Sequence, residues 1–553
     1  MKQWIDYLVI VFVGLVTHGL LLLNDGIYWD AWLLYRYLVN KDSYLLSLWF
    51  IGAGRPIEYC FHQIMGCFPG FPFGLIFQYK LVAFLSIIFT AVLIYKICSK
   101  FNLVSRGESL LISLIVLTYP TFYIWVEMHI ASYLFCYMLF FLAAFFTFKS
   151  EEAAGIIHYL WRTLSLIIFF ISFSLSSLLV FFLGFILVLI LRERHRHGFS
   201  WRQIGLIFLP RHIDYIILPF LFWIWNAWFF PLSVIFARDS HKLLKFNLLS
   251  IKKGFIGFLQ YAFCDQWIEA TERLLSLPLF MLLIILLAYL IYDLFRISKF
   301  RWFSPEIRSW YFIIFGVVMF IAGTFPYVAT GLLPPEHTVM YNLTTRHALL
   351  LGLPMAIIIT GLSKLIFSTK DGALNRFGFM LLSLIITAFI LMNNHGYISW
   401  QARWVKDRSF MVNLARLENA GKYSTYWVDD QYLVCGENYR IFEYSSMFHQ
   451  VWGGEKRASL IARNARERFD PKLFETLKPP NGVSRVTCYL RDYDPAGPQA
   501  ELSICSAASP AISDFKLVMR YFYYRFLHPQ RMQDFLAGIT RVHVQPIPSS
   551  VSP

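Results

Sequence analysis

The sequence predicts a polytopic α-helical membrane protein with about 11 transmembrane helices over residues 1–393, followed by a C-terminal mixed α/β domain at 394–553. Three observations lead there. Of 553 residues, 58% are hydrophobic and only 15% charged, against roughly 25% charged in a soluble domain. Apolar runs long enough to approach or cross a hydrocarbon core of about 30 Å recur along the chain. Basic residues collect in the short links between those runs, the pattern that sets membrane topology.

The runs fall near 7–24, 73–97, 107–124, 132–148, 161–175, 177–191, 213–235, 277–295, 310–328, 348–367 and 377–393. The first has only Lys2 ahead of it and no small-residue cleavage site, so it is expected to stay as an anchor. The stretch 161–191 is long enough to be one span, but cationic residues flank both of its ends: Lys149 and Arg162 before it, Arg192, Arg194, Arg196, Arg202 and Arg211 after it. Two short helices turning near Ser172–Ser177 satisfy that pattern better. With the N-terminus in the cytoplasm, the inner links 1–6, 96–106, 149–162, 192–211, 296–308 and 364–376 carry 18 Lys and Arg. The short outer links 125–131, 172–177 and 329–347 carry one, Arg346. Longer outer loops run over about 25–72 and 236–276, and an odd number of spans leaves the C-terminal domain extracytoplasmic.

The tail is a break in composition: apolar runs shorten while Asp, Arg, Pro and Gly return. Gln401–Ala420 reads as an amphipathic helix leaving the membrane. Tyr423–Val428 and Tyr432–Tyr444 read as strands, and a helix is expected around Glu455–Arg468. Val486–Leu490 and Glu501–Cys505 complete the expected strands, and Val544–Pro553 is expected to fray. Asp429-Asp430 reads as a strand-end turn rather than a metal site. Cys60 and Cys67 share the first outer loop, and Cys435, Cys488 and Cys505 share the tail; spacing alone assigns no disulfide.

The net charge of +15 does not point to nucleic acid, because the cations sit in the inter-span links. The sequence has no P-loop, GxGxxG or zinc-spaced Cys/His set. The residues that carry chemistry cluster in the outer loops. Asp25 and Asp30 follow the first span within Asn24-Asp25-Gly26-Ile27-Tyr28-Trp29-Asp30-Ala31-Trp32. Trp29–Leu38 has the character of an amphipathic interfacial helix. The turn Gly52-Ala53-Gly54-Arg55-Pro56 presents a guanidinium, which suits phosphate, and leads into Glu58 and His62. Glu127 is the one acid between the third and fourth spans. An ionisable group wedged between spans is a functional candidate by default. Arg346 and His347 precede the tenth span, where a cation is placed to hold a lipid-linked phosphate.

At these residues the chain resembles the GT-C class of integral-membrane glycosyltransferases, similar in layout to protein O-mannosyltransferases and aminoarabinose transferases. The resemblance covers most of the chain as architecture: many spans, a long first outer loop, a second outer acid and an extracytoplasmic C-terminal domain. Its motif is Trp29-Asp30-Ala31-Trp32-Leu33-Leu34-Tyr35, with Asp30 at the first acid and Ala31 where a second acid is common. Phe173-Ser174-Leu175-Ser176-Ser177-Leu178 resembles the short hairpin in the middle of that fold, without a charged residue that some members carry there. The resemblance implies transfer of a sugar from a polyprenyl-phosphate carrier to a glycan, lipid or protein acceptor at the outer face. A carboxylate, Asp30 or Asp25, would act as base with Glu127 as a further catalytic acid, and Arg346, Arg55 and His347 would meet the donor phosphate. Some members use a divalent cation such as Mg or Mn and others do not, and these acids could serve either case. A polyprenyl-pyrophosphate-dependent polymerase or ligase is one alternative, and a lipid-linked sugar transporter or flippase another. The expected location is a bacterial plasma membrane, since the sequence has no retention signal.

Overall fold

A computed structural model describes the chain except for residues 1, 69–73, 102, 199–200, 234–247, 276–286, 294–307, 333–342, 368–371, 419, 433–438, 454–457, 462–497, 508–512 and 548–553. Among the described residues, eight helices are long and apolar enough to cross a membrane: Trp4–Leu23, Gly74–Lys100, Ala131–Glu152, Gly155–Ser172, Leu206–Phe229, Ser309–Ala329, Thr344–Phe367 and Phe377–Arg416. The protein is a polytopic helical membrane protein with a small sheet near its C-terminus.

The chain order begins with α1 (Lys2–Leu23), then three short helices of the first long loop, α2 (Ala31–Val39), α3 (Ser43–Phe50) and α4 (Pro56–Gly66). The bundle continues with α5 (Gly74–Lys100), α6 (Arg106–Thr118), α7 (Ala131–Glu152), α8 (Gly155–Ser172), α9 (Ser177–His197) and α10 (Trp201–Phe229). Next come α11 (Leu248–Leu259) and α12 (Gln266–Leu275), joined by a π-helical turn, then α13 (Ser309–Ala329), α14 (Gly352–Phe367) and α15 (Gly372–Arg416). The stretch 161–191 divides at Phe173–Ser176 into α8 and α9, and Phe169 packs on Phe182 and Phe185 across the turn.

Three expected spans differ from the eight. The run 107–124 yields only α6, which ends at Thr118. Its 13 residues reach about 20 Å, short of a bilayer core. Pro120 is the reason: the residue before a proline is pushed from helical to extended backbone, and Tyr119 has ψ 121°. The run 177–191 is helical as α9, but its apolar part ends at Arg192 after only about 22 Å. Most of 277–295 lies outside the described residues.

At one end of the bundle buried charges pair. Asp6 binds Arg106 at 2.5 Å, and Lys364 binds Glu108 at 2.6 Å between α14 and α6. The α6 start is fixed by a capping box in which Ser105 and Glu108 satisfy each other's backbone N–H groups.

At the other end α15 leaves the bundle. Its 45 residues extend about 67 Å, so the helix continues past residue 393 into the tail domain without a break. The tail sheet has the order β2-β1-β3-β4, with β1 (Thr425–Asp430), β2 (Ala458–Ile461), β3 (Gln499–Ser506) and β4 (Thr540–Pro546). β1 pairs parallel with β2 and β3, and β3 pairs antiparallel with β4. The β1–β2 crossover contains α16 (Ile441–Trp452), and α17 (Asp514–Leu527) and α18 (Met532–Ala537) lie between β3 and β4. Leu517, Val518, Tyr521 and Leu536 bury against Ala402 and Val405 of α15.

The strands expected at 423–428 and 501–505 match β1 and β3. Of the strand expected over Tyr432–Tyr444, residues 433–438 lie outside the described residues, and Ile441–Tyr444 is helical instead, its start fixed by Glu443 accepting the Arg440 backbone N–H. The helix expected around 455–468 is replaced by β2 at 458–461, the remainder lying outside the described residues. Val544–Pro546 does not fray, since it pairs with Ala500–Leu502. The expected strand 486–490 lies outside the described residues, as do Cys435 and Cys488. Cys60, Cys67 and Cys505 are free thiols.

The joint between bundle and sheet domain is an ion pair. Arg403 of α15 donates to Glu443 of α16 at 2.8 Å, with both side chains fully buried. Glu443 also accepts the backbone N–H of Trp29 at 3.2 Å and that of Arg440 at 2.9 Å. The Arg403 guanidinium lies 4.2 Å from the Tyr439 ring centroid. Leaving either charge buried alone costs about 3–5 kcal/mol. Glu443→Gln should therefore lower the thermal midpoint in detergent, and Arg403→Met/Glu443→Gln should regain part of that loss. Equal destabilisation by the single and double variants would contradict the account.

Candidate functional site

The loop after α1 is folded by its own side chains and by α15. Asn24 accepts from the Gly26 N–H at 3.1 Å, and the Tyr28 hydroxyl donates to the Trp400 carbonyl at 2.8 Å. Trp29 has a φ of 45°, a left-handed conformation that a bulky side chain adopts only under constraint. The constraint is its N–H bond to Glu443 and the packing of its ring 4.6 Å from Trp400. Asp30 follows at the N-terminal boundary of α2 without capping it; Arg440 donates to its Oδ1 at 3.2 Å. Rather than floating at a lipid interface, α2 buries Trp32, Leu33, Leu34, Tyr37 and Leu38 within the protein.

Arg55 is set by the turn that precedes it. Its backbone N–H donates to Phe50 at 2.8 Å, and Gly54 takes a φ of 71°. A Cβ on Gly52 would stand 2.3 Å from the Leu48 carbonyl oxygen, so only glycine fits there. The Arg55 guanidinium donates to the Tyr133 hydroxyl at 2.9 Å and lies 3.6 Å from Glu58. Tyr133 first, then Glu58 and Asp30, hold Arg55 more firmly protonated than usual.

Glu127 comes from the link 119–130, which is buried and non-helical. Its polar backbone must find partners inside the protein. Tyr261 donates to the Thr121 carbonyl, Trp400 to that of Tyr123 and Lys80 to that of Val126. The Glu127 Oε2 accepts the Ile130 N–H at 2.8 Å. Burial pushes the Glu127 carboxyl up to about 7, helped by the nearby Asp30 charge and opposed by His129 and the backbone N–H bonds. His129 lies 3.5 Å from Glu58 and stacks on Trp49. His62 bonds Tyr79 at 2.8 Å, and burial holds its ring well below the usual imidazole range, His129 adding to the effect.

Arg346 and His347 lie on the 3-10 turn Leu343–Leu351 that leads into α14, with their side chains 3.3 Å apart. Thr345 beside them accepts the Tyr123 N–H at 3.4 Å, which joins this turn to the Glu127 link. The charge of Arg346 acts on Tyr133, the residue that Arg55 touches.

The structure thus brings Asp30, Arg55, Glu127 and Arg346 into one region, with His347 packed on Tyr327 at its edge. Asp25 has a different set of partners. Its carboxylate accepts from Tyr521 at 2.6 Å and Gln401 at 3.1 Å, with Arg525 at 3.3 Å and Arg408 at 3.8 Å. Those partners come from α15 and α17, so Asp25 fastens the end of α1 to the tail domain. Among the described residues, Asp25, Asp30 and Glu127 do not gather into a common metal ligand set; the one tight group of such side chains is Glu151, Glu193 and His212.

Access separates the acids. The Asp30 side chain is 15% exposed and that of Arg55 36%, whereas Glu127 is 1% exposed. Asp30 and Arg55 are thus partly open to solvent, while Glu127 is closed off from it. Sequence reasoning passed over Tyr133, Lys80 and the Arg403–Glu443 pair. Lys80 carried a signal, since a lysine inside an apolar run needs a partner; Tyr133 carried none. No protein-family model matches the sequence, and no curated protein matches it.

The raised Glu127 carboxyl fixes the sign of a pH effect. The folded protein keeps this proton to higher pH than the unfolded chain, so its contribution is full below about 4.5 and is lost as pH rises through about 7. Glu127→Gln should match the wild type in thermal stability near pH 4.5 and exceed it by about 2–3 kcal/mol at pH 8. A stability difference that does not change with pH would contradict this environment for Glu127.

Proposed function

We propose that the protein is a glycosyltransferase that moves a sugar from a polyprenyl-phosphate carrier to an acceptor hydroxyl at the extracytoplasmic face of a bacterial plasma membrane. The observation that carries this reading is a partly exposed carboxylate, Asp30, near enough to a partly exposed guanidinium, Arg55, for its charge to be felt there. Asp30 lies where the bundle meets the tail domain, paired with Arg440, and Arg55 is held against Tyr133 of the bundle. A lipid-linked donor needs both groups at one place: a phosphate site reachable from between helices, and a base beside it.

In the reaction, Asp30 accepts the proton of the acceptor hydroxyl as its oxygen attacks the anomeric carbon. The bond from that carbon to the phosphate oxygen breaks on the opposite face, and the configuration inverts. The departing phosphate gathers negative charge, which Arg55 and Arg346 stabilise by charge-assisted hydrogen bonds. His347 supports Arg346 through their side-chain contact. Glu127 acts from behind, holding the Ile130 backbone and shaping the field around Asp30. Asp25 holds the loop rather than the proton.

Purified protein with a polyprenyl-phosphate sugar and candidate acceptors tests the reading. Loss of the general base typically lowers the rate about 10²–10⁴-fold. Asp30→Asn should fall within that range without changing the thermal midpoint. Asp25→Asn should lower the midpoint and reduce transfer far less. Undiminished transfer in Asp30→Asn would sink the proposed role. Movement of a lipid-linked sugar across the membrane without bond cleavage would favour a flippase.

A further inference from the structure

We infer that the protein holds a zinc ion at a second site, formed by Glu151 and Glu193 near the C-terminal ends of α7 and α9 and by His212 at the kink within α10. The site is remote from Asp30. Glu151 lies twenty residues along α7 from its start at Ala131, about 30 Å away. Glu193 lies about 24 Å along α9 from Ser177. The site therefore belongs to the opposite end of the bundle, the end expected to face the cytoplasm.

The geometry is that of a ligand set. One donor atom from each side chain, two carboxylate oxygens and an imidazole nitrogen, all fall within 4.8 Å of one another. Ligands at about 2.0–2.2 Å from a zinc ion stand a little over 3 Å apart, which small side-chain rotations reach. Three protein ligands of mixed nitrogen and oxygen type leave a fourth position for water, the arrangement of open zinc sites.

The neighbouring charges alone do not call for a cation. Arg192 pairs with Glu151, Arg211 with Glu193 at 3.3 Å, and Arg162 with Asp214 at 2.6 Å. Those contacts anchor the carboxylates while each keeps a second oxygen as an acceptor site. The imidazole is what calls for a ligand. His212 is 1% exposed, and among the described residues neither Nδ1 nor Nε2 has a hydrogen-bond partner. Buried polar side chains almost always find a partner, and a ring with both nitrogens unmatched carries a real desolvation cost. The helix also departs from helical geometry at His212 (φ −123°, ψ 21°), two residues after Pro210, and Phe208 packs on one face of the ring. That kink and that packing fix the ring in its position against the two carboxylates.

The test uses the full-length protein in detergent, stripped with a chelator, equilibrated with Zn²⁺ and assayed by elemental analysis. Co²⁺ substitution supplies a visible d–d spectrum as a readout that needs no variant. The expected result is zinc retained by the wild type and by Asp30→Asn, with affinity reduced at least about 10–100-fold in His212→Ala and Glu193→Gln. Cobalt bands should appear in the wild type and be displaced by Zn²⁺. Either of two results would overturn the site: no retained zinc together with no cobalt bands in folded wild type, or zinc kept by His212→Ala and lost by Asp30→Asn.

Discussion

The Arg403–Glu443 ion pair is the contact on which the rest of the arrangement depends. It joins the long helix that leaves the bundle to the first helix of the sheet domain, and Glu443 reaches on to the Trp29 backbone. That bond, with the packing of Trp29 on Trp400, holds the left-handed Trp29 backbone, and Asp30 is the next residue. A buried pair of this kind contributes little net stability compared with apolar packing, but it penalises every arrangement in which one partner is missing. Its effect is to specify one position of the tail domain relative to the bundle. Asp30 takes its place from that choice.

Much of this fold is legible in the sequence because hydropathy has few solutions in lipid. Apolar runs must be helical, and eight expected spans are helices of sufficient length. The turn at Phe173–Ser176 is legible from the cations flanking both ends of the 161–191 stretch. The run 107–124 misleads because hydropathy does not register that Pro120 ends a helix two residues earlier. The tail is less legible. Ile441–Trp452 carries strand-forming residues, yet Glu443, which accepts the Arg440 backbone N–H and pairs with Arg403, accompanies a helix there. Tertiary contacts override local preference there.

The candidate site divides in the same way. Asp30, Glu127, Arg55 and Arg346 stand out in the sequence as charges in links of an apolar chain, and the structure gathers them. Asp25 stands out equally, but four partners from α15 and α17 make it a fastening. No spacing rule reveals those partners, which lie hundreds of residues away. Tyr133 is invisible for a related reason: it is one tyrosine among 31, and only the fold shows that Arg55 donates to it.

On the proposed function, Arg55 and Arg346 form the two sides of a lipid-phosphate site next to Asp30. Its most direct measurement is a cryo-electron microscopy map of the protein in lipid nanodiscs with a saturating polyprenyl phosphate. The account predicts phosphate density within hydrogen-bond reach of the Arg55 guanidinium, on the side facing Arg346 and beside the Asp30 carboxylate. Phosphate density elsewhere in the bundle, with Arg55 still closed onto Tyr133 and Glu58, would contradict it.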